Sequence, residues 1–323
     1  ETSKGIYFDI SKLDKYPVLS NRKLDDQIAG ARVDVDPEKK NPYDFALWIK
    51  APENHIMKWE SPWGLSYPGW HLECSTMGRR FLGEEFDIHT GGVDHIPTHH
   101  ENEIAQSKGA TGKIPAHVWL HCEYLQVDGG KMSKSLGNTY TISQLKEKGI
   151  SPLAFKLFCF TAHYRNKLNF TFEGAYGAQK ALERLYDSYV KNANGADEIE
   201  ESIISEYKEK FSNYINDDMN MPGAMSVVWE IARNTKKSKS FAELLLEFDK
   251  VLGLDIKNAE QYLKEFKQEN EELPDDIKDL ITERNKAREN KNWQKSDELR
   301  DKIISMGYSI KDTKDGIIVK KEK

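Results

Sequence analysis

The sequence predicts an α/β domain, then an α-helical bundle, then a small α+β domain. Between Trp63 and Val127, glycine and proline alternate with short apolar runs and two helical stretches, a pattern typical of an α/β layer. Beyond Pro152, apolar residues recur at helical spacing to about residue 265, which indicates a bundle of helices. The segment from Pro274 combines two helical patterns with a hairpin pattern, which favours a separate small domain.

Length and composition narrow the class of protein. With 323 residues and a mass of 37.2 kDa, two or three domains are expected. No apolar run approaches the roughly 20 residues that span a bilayer, so no membrane segment is expected. The first residues, Glu1 to Lys4, lack the features of a signal peptide, and three cysteines form no disulfide framework. These features predict a cytoplasmic protein, and we expect a monomer.

The chain up to residue 127 divides into strands and helices by its residue patterns. Residues 7–10 and 45–50 predict strands in a region with few helices. Residues 72–81 and 99–108 predict helices, and the aromatic and β-branched run 117–127 predicts a strand.

The later segments are divided by turn signals. Residues 192–195 and 271–274 predict breaks between helices or domains. The tail predicts helices over 277–289 and 292–306, a stop at Gly307, and a hairpin over 308–319 that turns at Asp315-Gly316. Asp217 and Asp218 lie near a helix start, which favours helix capping over a catalytic carboxylate pair.

The eight residues from Lys131 to Asn138 read Lys-Met-Ser-Lys-Ser-Leu-Gly-Asn. They follow the turn signal Val127-Asp128-Gly129-Gly130, so both lysines are predicted to lie on a loop that leaves a sheet. Two cations in such a loop suit the phosphates of a nucleotide, whereas an isolated Lys-x-x-Lys is more often a solvated turn.

A second constellation suits a metal ion. His99 and Glu103 are four residues apart, so on a helix they share one face, although such pairs are often only surface pairs. With Cys74 they would offer a thiolate, an imidazole and a carboxylate, a set that favours Zn2+ over Mg2+ or Ca2+. The alternative for Cys74 is a small buried apolar residue.

The net charge of −6 argues that any contact with nucleic acid comes from local patches. Residues 276–323 carry 13 Lys and Arg against 10 Asp and Glu. Within this region, Trp293 lies among cations that suit unpaired RNA bases and their phosphates: Arg284, Lys286, Arg288, Lys291 and Lys295. A solvated helix face with one buried tryptophan fits this pattern equally well.

The chain resembles class I aminoacyl-tRNA synthetases, and within them the cysteinyl-tRNA synthetases. The lysine string is the signature loop of the class. The closer resemblance rests on motifs that follow one another along most of the chain: Pro62-Trp63-Gly64, Gly69-Trp70-His71-Leu72-Glu73-Cys74-Ser75, Gly91-Gly92-Val93-Asp94, His99-His100-Glu101-Asn102-Glu103-Ile104-Ala105-Gln106 and Asn216-Asp217-Asp218-Met219-Asn220.

The resemblance implies a fold and a domain order. It implies the C-terminal half of a Rossmann-like class I catalytic domain, an α-helical bundle and a small C-terminal α+β domain. The implied segments are a connective-peptide insertion over 1–62, the Rossmann-like half with its zinc site over 63–130, the lysine loop and tRNA stem-contact region over 131–172, the tRNA-binding helical bundle over 173–270, and the anticodon-recognition domain over 271–323.

The resemblance also implies an activity, the ATP-dependent attachment of L-cysteine to its tRNA through a cysteinyl-adenylate. It places three of four zinc ligands on Cys74, His99 and Glu103. The fourth, a cysteine, and the His-Ile-Gly-His nucleotide motif are absent from the sequence, and the resemblance implies that both would precede residue 1. Metal and ATP binding are therefore expected to be weaker in this chain alone.

The remaining implied roles concern the substrates. Trp70 would line the cysteine pocket and Asp94 would hold the substrate ammonium group, although Trp70 also fits a core aromatic and Asp94 a turn cap. Lys131 and Lys134 would neutralise the phosphates of ATP, which arrives with Mg2+, and Met132 and Ser133 complete that ATP-binding loop. Arg284, Arg288, Trp293 and Arg300 would contact the tRNA.

Two other functions remain open at this stage. The first is a non-catalytic tRNA-binding or regulatory fragment derived from a synthetase. The second is a ligase that joins cysteine to an amino sugar. The lysine string and the metal residues argue against the first, and the cationic tail argues against the second.

Overall fold

The computed structural model describes residues 1–21, 36–269, 274–290, 292–313 and 316–321. The chain divides into two compact units. The first unit comprises residues 1–148 with 159–175, and the second comprises residues 149–158 with 176–323. Of the sequence predictions, Lys291, Asp315 and residues 271–273 of the second predicted break lie outside the described residues.

The first unit begins with a small antiparallel sheet. Its strands are β1 (Gly5–Phe8), β2 (Phe45–Lys50) and β3 (Ser66–Pro68), in that order. Phe8 stacks on Phe45 with 5.0 Å between ring centroids, and Phe45 belongs to a small core with Ile10 and Ala105. The strands predicted near residues 7 and 45 are confirmed, except that the first ends at Phe8, because the Asp9 side chain accepts from Ser11 N and begins a 3₁₀ turn.

A parallel pair of strands and two helices follow. They are α1 (Trp70–Leu82), β4 (Phe86–Gly92), α2 (His99–Thr111) and β5 (Ala116–Cys122). β4 and β5 are parallel neighbours joined through α2, which is the βαβ connection typical of an α/β domain. The two predicted helices are confirmed with slightly longer bounds, and α2 ends at Gly112, whose φ of 77° lies in the left-handed region.

The single strand predicted over residues 117–127 is wrong, because two strands occupy it. β5 ends at Cys122, and β6 (Leu125–Val127) pairs instead with β8 (Leu168–Phe170). Between them, Glu123 N donates to Tyr164 O at 2.8 Å, so the chain leaves one sheet and joins another. β7 (Gly130–Lys131) completes this second sheet, and α3 (Ile142–Glu147) follows it.

The second unit begins with helices. They are α4 (Pro152–Cys159), α5 (Phe172–Ala193), α6 (Glu201–Asn216), α7 (Met221–Arg233), α8 (Lys239–Leu252) and α9 (Ala259–Glu269), with the ends of α4 and α5 shared with the first unit. The predicted helices are confirmed, and the apolar residues that predicted them are all buried: Ala154, Leu157, Phe158, Ala178, Leu182, Leu185, Tyr186, Val227, Val228 and Ile231.

Two details of the bundle differ from the prediction. The predicted break at 192–195 starts later, because Asn192 is buried inside α5 and its side chain accepts from Ser238 N at 3.1 Å. The predicted cap at Asp217 and Asp218 is wrong, because Asn220 caps α7 by accepting from Gly223 N at 3.0 Å. Asp217 instead ends α6.

The tail folds as the sequence predicts. α10 (Asp275–Glu289) and α11 (Trp293–Ser305) pack on an antiparallel hairpin of β9 (Tyr308–Thr313) and β10 (Gly316–Lys321). Gly307, with φ at 85°, separates α11 from β9. The tail has its own core of Ile277, Leu280, Leu299, Ile303, Tyr308 and Ile310. Among the described residues, no helix combines the length and apolar character needed to cross a membrane.

A buried carboxylate on α2 holds the segment that follows the N-terminal sheet. The Glu101 side chain is fully buried and accepts from the backbone N–H groups of Val18, Leu19 and Ser20 at 2.5–2.8 Å. Beside it, the Tyr16 hydroxyl donates to Asn102 Oδ1 at 2.6 Å. α2 therefore anchors this segment as well as carrying site residues.

We expect Glu101→Ala to lower the free energy of unfolding of the first unit by about 3 kcal/mol, because three half-buried backbone donors lose a fully buried carboxylate acceptor. Chemical denaturation measures the loss, and amide hydrogen exchange should accelerate first at Val18, Leu19 and Ser20. Glu53→Ala, at an exposed position, is the matched control and should change stability by no more than about 0.5 kcal/mol. Equal stability of the two variants would contradict an anchoring role for Glu101.

Candidate metal and nucleotide site

The packing of α1 against α2 brings three predicted metal donors together. Cys74 lies on α1, and His99 and Glu103 lie one turn apart on α2. The Cys74 sulfur, a His99 ring nitrogen and a Glu103 carboxylate oxygen all lie within 4.8 Å of one another. Gly69 permits this start of α1, because a Cβ at that position would lie 2.3 Å from Ala46 O of β2.

The surroundings of these donors suit a buried cation. His99 and Glu103 are each only 3% exposed, and His99 Nε2 lies 3.8 Å from Glu103 Oε2. The other ring nitrogen of His99 lies 2.8 Å from Nδ1 of His71, an outer contact of the kind that orients metal-binding imidazoles. Burial, followed by the Glu103 and Glu73 carboxylates, raises the pKa of the Cys74 thiol. A bound cation would act in the opposite direction.

Six histidines form a cluster around α2: His71, His89, His95, His99, His100 and His121. Burial, followed by the neighbouring histidines, lowers the pKa of His100 to about 3, so its ring is neutral near pH 7. Gly91 makes room for the cluster. A Cβ there would lie 2.6 Å from His95 Nδ1 and 2.7 Å from His100 Cε1.

Trp70 lies at this cluster and Asp94 lies at its edge. The Trp70 ring is 42% exposed and stacks on the His99 ring with 4.1 Å between centroids, so Trp70 is not a core aromatic. Asp94 is exposed within the 3₁₀ turn Val93–His95, where Gly92 rather than Asp94 occupies the cap position. Desolvation and a hydrogen bond to Asp94 raise the pKa of the Tyr124 hydroxyl.

The lysine loop begins at a tight hairpin. β6 and β7 pair through a two-residue turn at Asp128 and Gly129, both with positive φ, and Gly129 N donates to Asn169 Oδ1 at 2.7 Å. Lys131 ends β7, and Lys134 begins a 3₁₀ turn; both side chains are exposed, as expected for groups that meet a ligand in solution.

Asn138 fixes the shape of this loop. Its Oδ1 accepts from Ser133 N at 2.9 Å, and its Nδ2 donates to Lys131 O at 2.9 Å. Ser133 in turn caps the turn that follows by accepting from Leu136 N, and Met132 and Ser133 are half-buried. The backbone between the two lysines is therefore held by side chains of the loop itself.

The tail places most of its predicted RNA-contact residues at the surface. Trp293 is 59% exposed, which contradicts the alternative of a buried tryptophan, and the Arg288 guanidinium lies 6.0 Å from its ring centroid. Arg300 is exposed on α11. Arg284 is the exception, because its side chain is buried, with only 1% exposed. We correct its role to packing within the tail.

Several residues of the site were not singled out from the sequence. His89, His121 and Tyr124 reach it from β4, β5 and the link after β5, and only the strand pairing brings them there. His71 and Asn138 could have been predicted as site residues, since both belong to sequence motifs that indicate the site. His71 adjoins Trp70, and Asn138 closes the lysine string.

Comparison with known proteins is consistent with this geometry. Residues 1–180 match the family described as tRNA synthetases class I (C) catalytic domain. Residues 270–319 match the family described as Cysteinyl-tRNA ligase anticodon binding domain. The cysteine–tRNA ligase of Finegoldia magna is 41% identical over 323 positions, covering 97% of this chain and 69% of the relative. The chain belongs to the cysteine–tRNA ligase family.

A second relative agrees with this assignment to the cysteine–tRNA ligases. The cysteine–tRNA ligase of Actinobacillus pleuropneumoniae serotype 5b is 43% identical over 320 positions, covering 96% of this chain and 68% of the relative. The chain thus spans about two thirds of the length of these cysteine–tRNA ligases. A solved ternary complex of Agrobacterium radiobacter K84 agnB2 LeuRS with tRNA and LeuAMS aligns with a TM-score of 0.49 at 15% identity, over 64% of this chain and 34% of that one.

Proposed function

We propose that this chain carries the metal, cysteine and phosphate contacts for ATP-dependent activation of L-cysteine to cysteinyl-adenylate, before transfer to tRNA. The observation that supports this proposal best is the convergence of Cys74, His99 and Glu103 on one point beside the exposed Trp70 ring. The five-segment domain order inferred from the sequence is part of the proposal.

The three donors fit a zinc ion by their chemistry. A thiolate, an imidazole and a carboxylate are all ligands of Zn2+, and the set is softer than the all-oxygen sites of Mg2+ or Ca2+. The contact between His99 and His71 orients the imidazole without blocking its Nε2. When bound, Zn2+ would offer a coordination position to the substrate sulfur. Three protein donors leave room for that sulfur and a further ligand.

Such a site would select cysteine directly. A cysteine thiolate binds zinc at about 2.3 Å, whereas the hydroxyl of serine deprotonates far less readily and is a poorer ligand. A site that demands such a bond can reject an analogue lacking it by factors of about 10⁴ or more. Trp70 would form one wall of the cysteine pocket, and the exposed Asp94 carboxylate would hold the substrate ammonium group.

The lysine loop supplies the charge that the activation step needs. The cysteine carboxylate attacks the α-phosphorus of ATP, the new bond forms an acyl phosphate, and pyrophosphate leaves. Lys134 and Lys131 would neutralise the charge that develops on pyrophosphate, while Met132 and Ser133 position the loop. Mg2+ would arrive with ATP, since nucleotide-bound Mg2+ keeps several waters and needs few protein ligands.

In the tail, Trp293 with Arg288 and Arg300 would contact unpaired bases and phosphates of the tRNA. The exposed ring and the guanidinium beside it form the stacking and charge pair that single-stranded RNA requires. The match of residues 270–319 to an anticodon-binding family supports this assignment.

An exchange assay tests the proposal. Because the His-Ile-Gly-His nucleotide motif is absent from the sequence, the assay uses this chain joined at residue 1 to the motif-bearing segment of a cysteine–tRNA ligase. We expect cysteine-dependent exchange of pyrophosphate into ATP, with kcat/KM for cysteine above that for serine by about 10⁴ or more, and elemental analysis should find zinc bound to the protein. Exchange that does not distinguish cysteine from serine would contradict the proposed selection. Retained tRNA binding without any exchange would indicate a non-catalytic RNA-binding protein.

A further inference from the structure

Glu103 also faces a second pair of imidazoles, in addition to His99. One ligand atom each from His89, His100 and Glu103 lies within 4.8 Å of the other two. Glu103 Oε2 lies 2.9 Å from His89 Nε2 and 3.8 Å from His100 Nε2. Neither histidine is required by the function proposed above. The same carboxylate therefore belongs to two groups of potential metal ligands.

We propose that His89, His100 and Glu103 form a second site, for a divalent transition-metal ion, next to the Cys74 site. Two imidazoles and one carboxylate are borderline donors, which favour Zn2+, Co2+ or Ni2+ over the hard ions Mg2+ and Ca2+. His89, His99 and His100 all approach the same oxygen, Oε2, so the Glu103 carboxylate would turn to give each ion one of its two oxygens. The second site does not depend on cysteine recognition at the first.

The distances fit a single ion. Ligand atoms about 2.0–2.1 Å from a tetrahedral Zn2+ are about 3.4 Å apart, and the two contacts to Glu103 lie on either side of that value, at 2.9 and 3.8 Å. The rings of His89 and His100 have centroids 4.5 Å apart, so their nitrogens can turn toward a common point. Small ring rotations would equalise the distances.

The orientation of His100 supports its role as a ligand. The side chain is 1% exposed, and its Nδ1 lies 2.9 Å from His121 Nε2. This contact uses one ring nitrogen and leaves Nε2 directed at Glu103. Metal-binding histidines almost always have such a partner on the other ring nitrogen. His99 shows the same arrangement with His71 in the first site.

An ion can reach the second site from solvent. A cavity of about 490 Å³ is lined by His89 and Glu103 together with residues of α1, α2 and the strands, including Ser75, Phe86 and Trp119. An entry path is one requirement of a usable metal site. Through this cavity an ion can reach His89 and Glu103.

Cobalt titration of the metal-stripped protein tests the proposal. Co2+ binds the same types of ligand as Zn2+, and only a thiolate-bound Co2+ gives a strong charge-transfer band in the near ultraviolet. We expect two equivalents to bind, one with this band at the Cys74 site and one without it at the second site. In Cys74→Ser the band should vanish while the equivalent that lacks it still binds, which separates the second site from the first.

His89→Gln is the decisive variant, because glutamine keeps an N–H donor for Glu103 but removes the imidazole ligand. We expect it to weaken the equivalent without the band by more than about 100-fold, beyond the usual 10–100-fold cost of losing an outer-shell partner. His117→Gln, at an exposed histidine of β5, is the matched control and should bind two equivalents. Binding of one equivalent to the unmodified protein would overturn the proposal, as would a second equivalent that His89→Gln retains.

Discussion

Lys134→Ala is expected to reduce the rate of cysteine activation by a factor of about 100 to 1,000. The lysine is exposed at the start of a 3₁₀ turn whose backbone is held by Ser133 and Asn138, so its ammonium group is free to meet a phosphate. Removing one preorganised charge or donor from a developing anion costs about that factor. Pyrophosphate exchange at saturating cysteine measures the change.

Three further measurements show whether the loss at Lys134 is specific. Lys146→Ala removes an exposed lysine from the last turn of α3 and should leave exchange unchanged. The zinc content of Lys134→Ala should equal that of the unmodified protein, because the metal donors lie on α1 and α2. The KM for cysteine should change little if Lys134 acts mainly on the transition state. An unchanged exchange rate in Lys134→Ala would remove this lysine from the mechanism.

The sequence predicts the lysine loop well because residues close together in the sequence determine its conformation. The turn at Asp128-Gly129 requires residues that accept positive φ, and the two residues there are of the types that do so. The helices α1 and α2 were likewise predictable, since four-residue spacing places His99 and Glu103 on one face. Each of these predictions depends on residues fewer than ten apart.

The sequence failed where distant pairing decides the structure. Residues 117–127 have the composition of one strand, but pairing of β6 with β8, about 40 residues away, divides them into two. His89 and His121 meet α2 because β4 and β5 pair in a register that places Gly91 opposite His121. No local sequence pattern contains that register. The sequence therefore does not predict that His89 and His121 lie beside α2.

Burial in the tail also depends on packing that the sequence pattern did not resolve. Arg284 and Arg288 lie four residues apart on α10, and the sequence pattern predicts the same role, contact with RNA, for both. Both lie on the same face of α10, but Arg284 is inside the helix and only 1% exposed, whereas Arg288 is one turn later, at the helix end, and reaches the Trp293 ring. A run of cations in a sequence thus predicts a charged surface, but it does not show which of those cationic side chains is exposed there.

Cys74→Ser is expected to have the largest effect on selectivity. The substitution preserves side-chain shape but exchanges the thiolate, the softest of the three donors, for a hydroxyl that deprotonates far less readily. The protein should then lose the zinc of the Cys74 site during dialysis, and discrimination between cysteine and serine should fall from about 10⁴ toward the roughly 10² of a pocket that separates substrates by shape. Elemental analysis and competitive pyrophosphate exchange measure the two losses.

The matched control is Cys122→Ser, because Cys122 is exposed at the end of β5 and belongs to neither group of metal donors among the described residues. Cys122→Ser should keep both its zinc and its selectivity for cysteine. A loss of either property in Cys74→Ser is then due to the position of Cys74 and not to the exchange of cysteine for serine. Cys74 is only partly buried, so serine should be tolerated there, and an unchanged circular dichroism spectrum would show that the fold survives. If Cys74→Ser bound as much zinc as the unmodified protein and still preferred cysteine, recognition of the substrate sulfur would have to come from residues other than the α1–α2 donors.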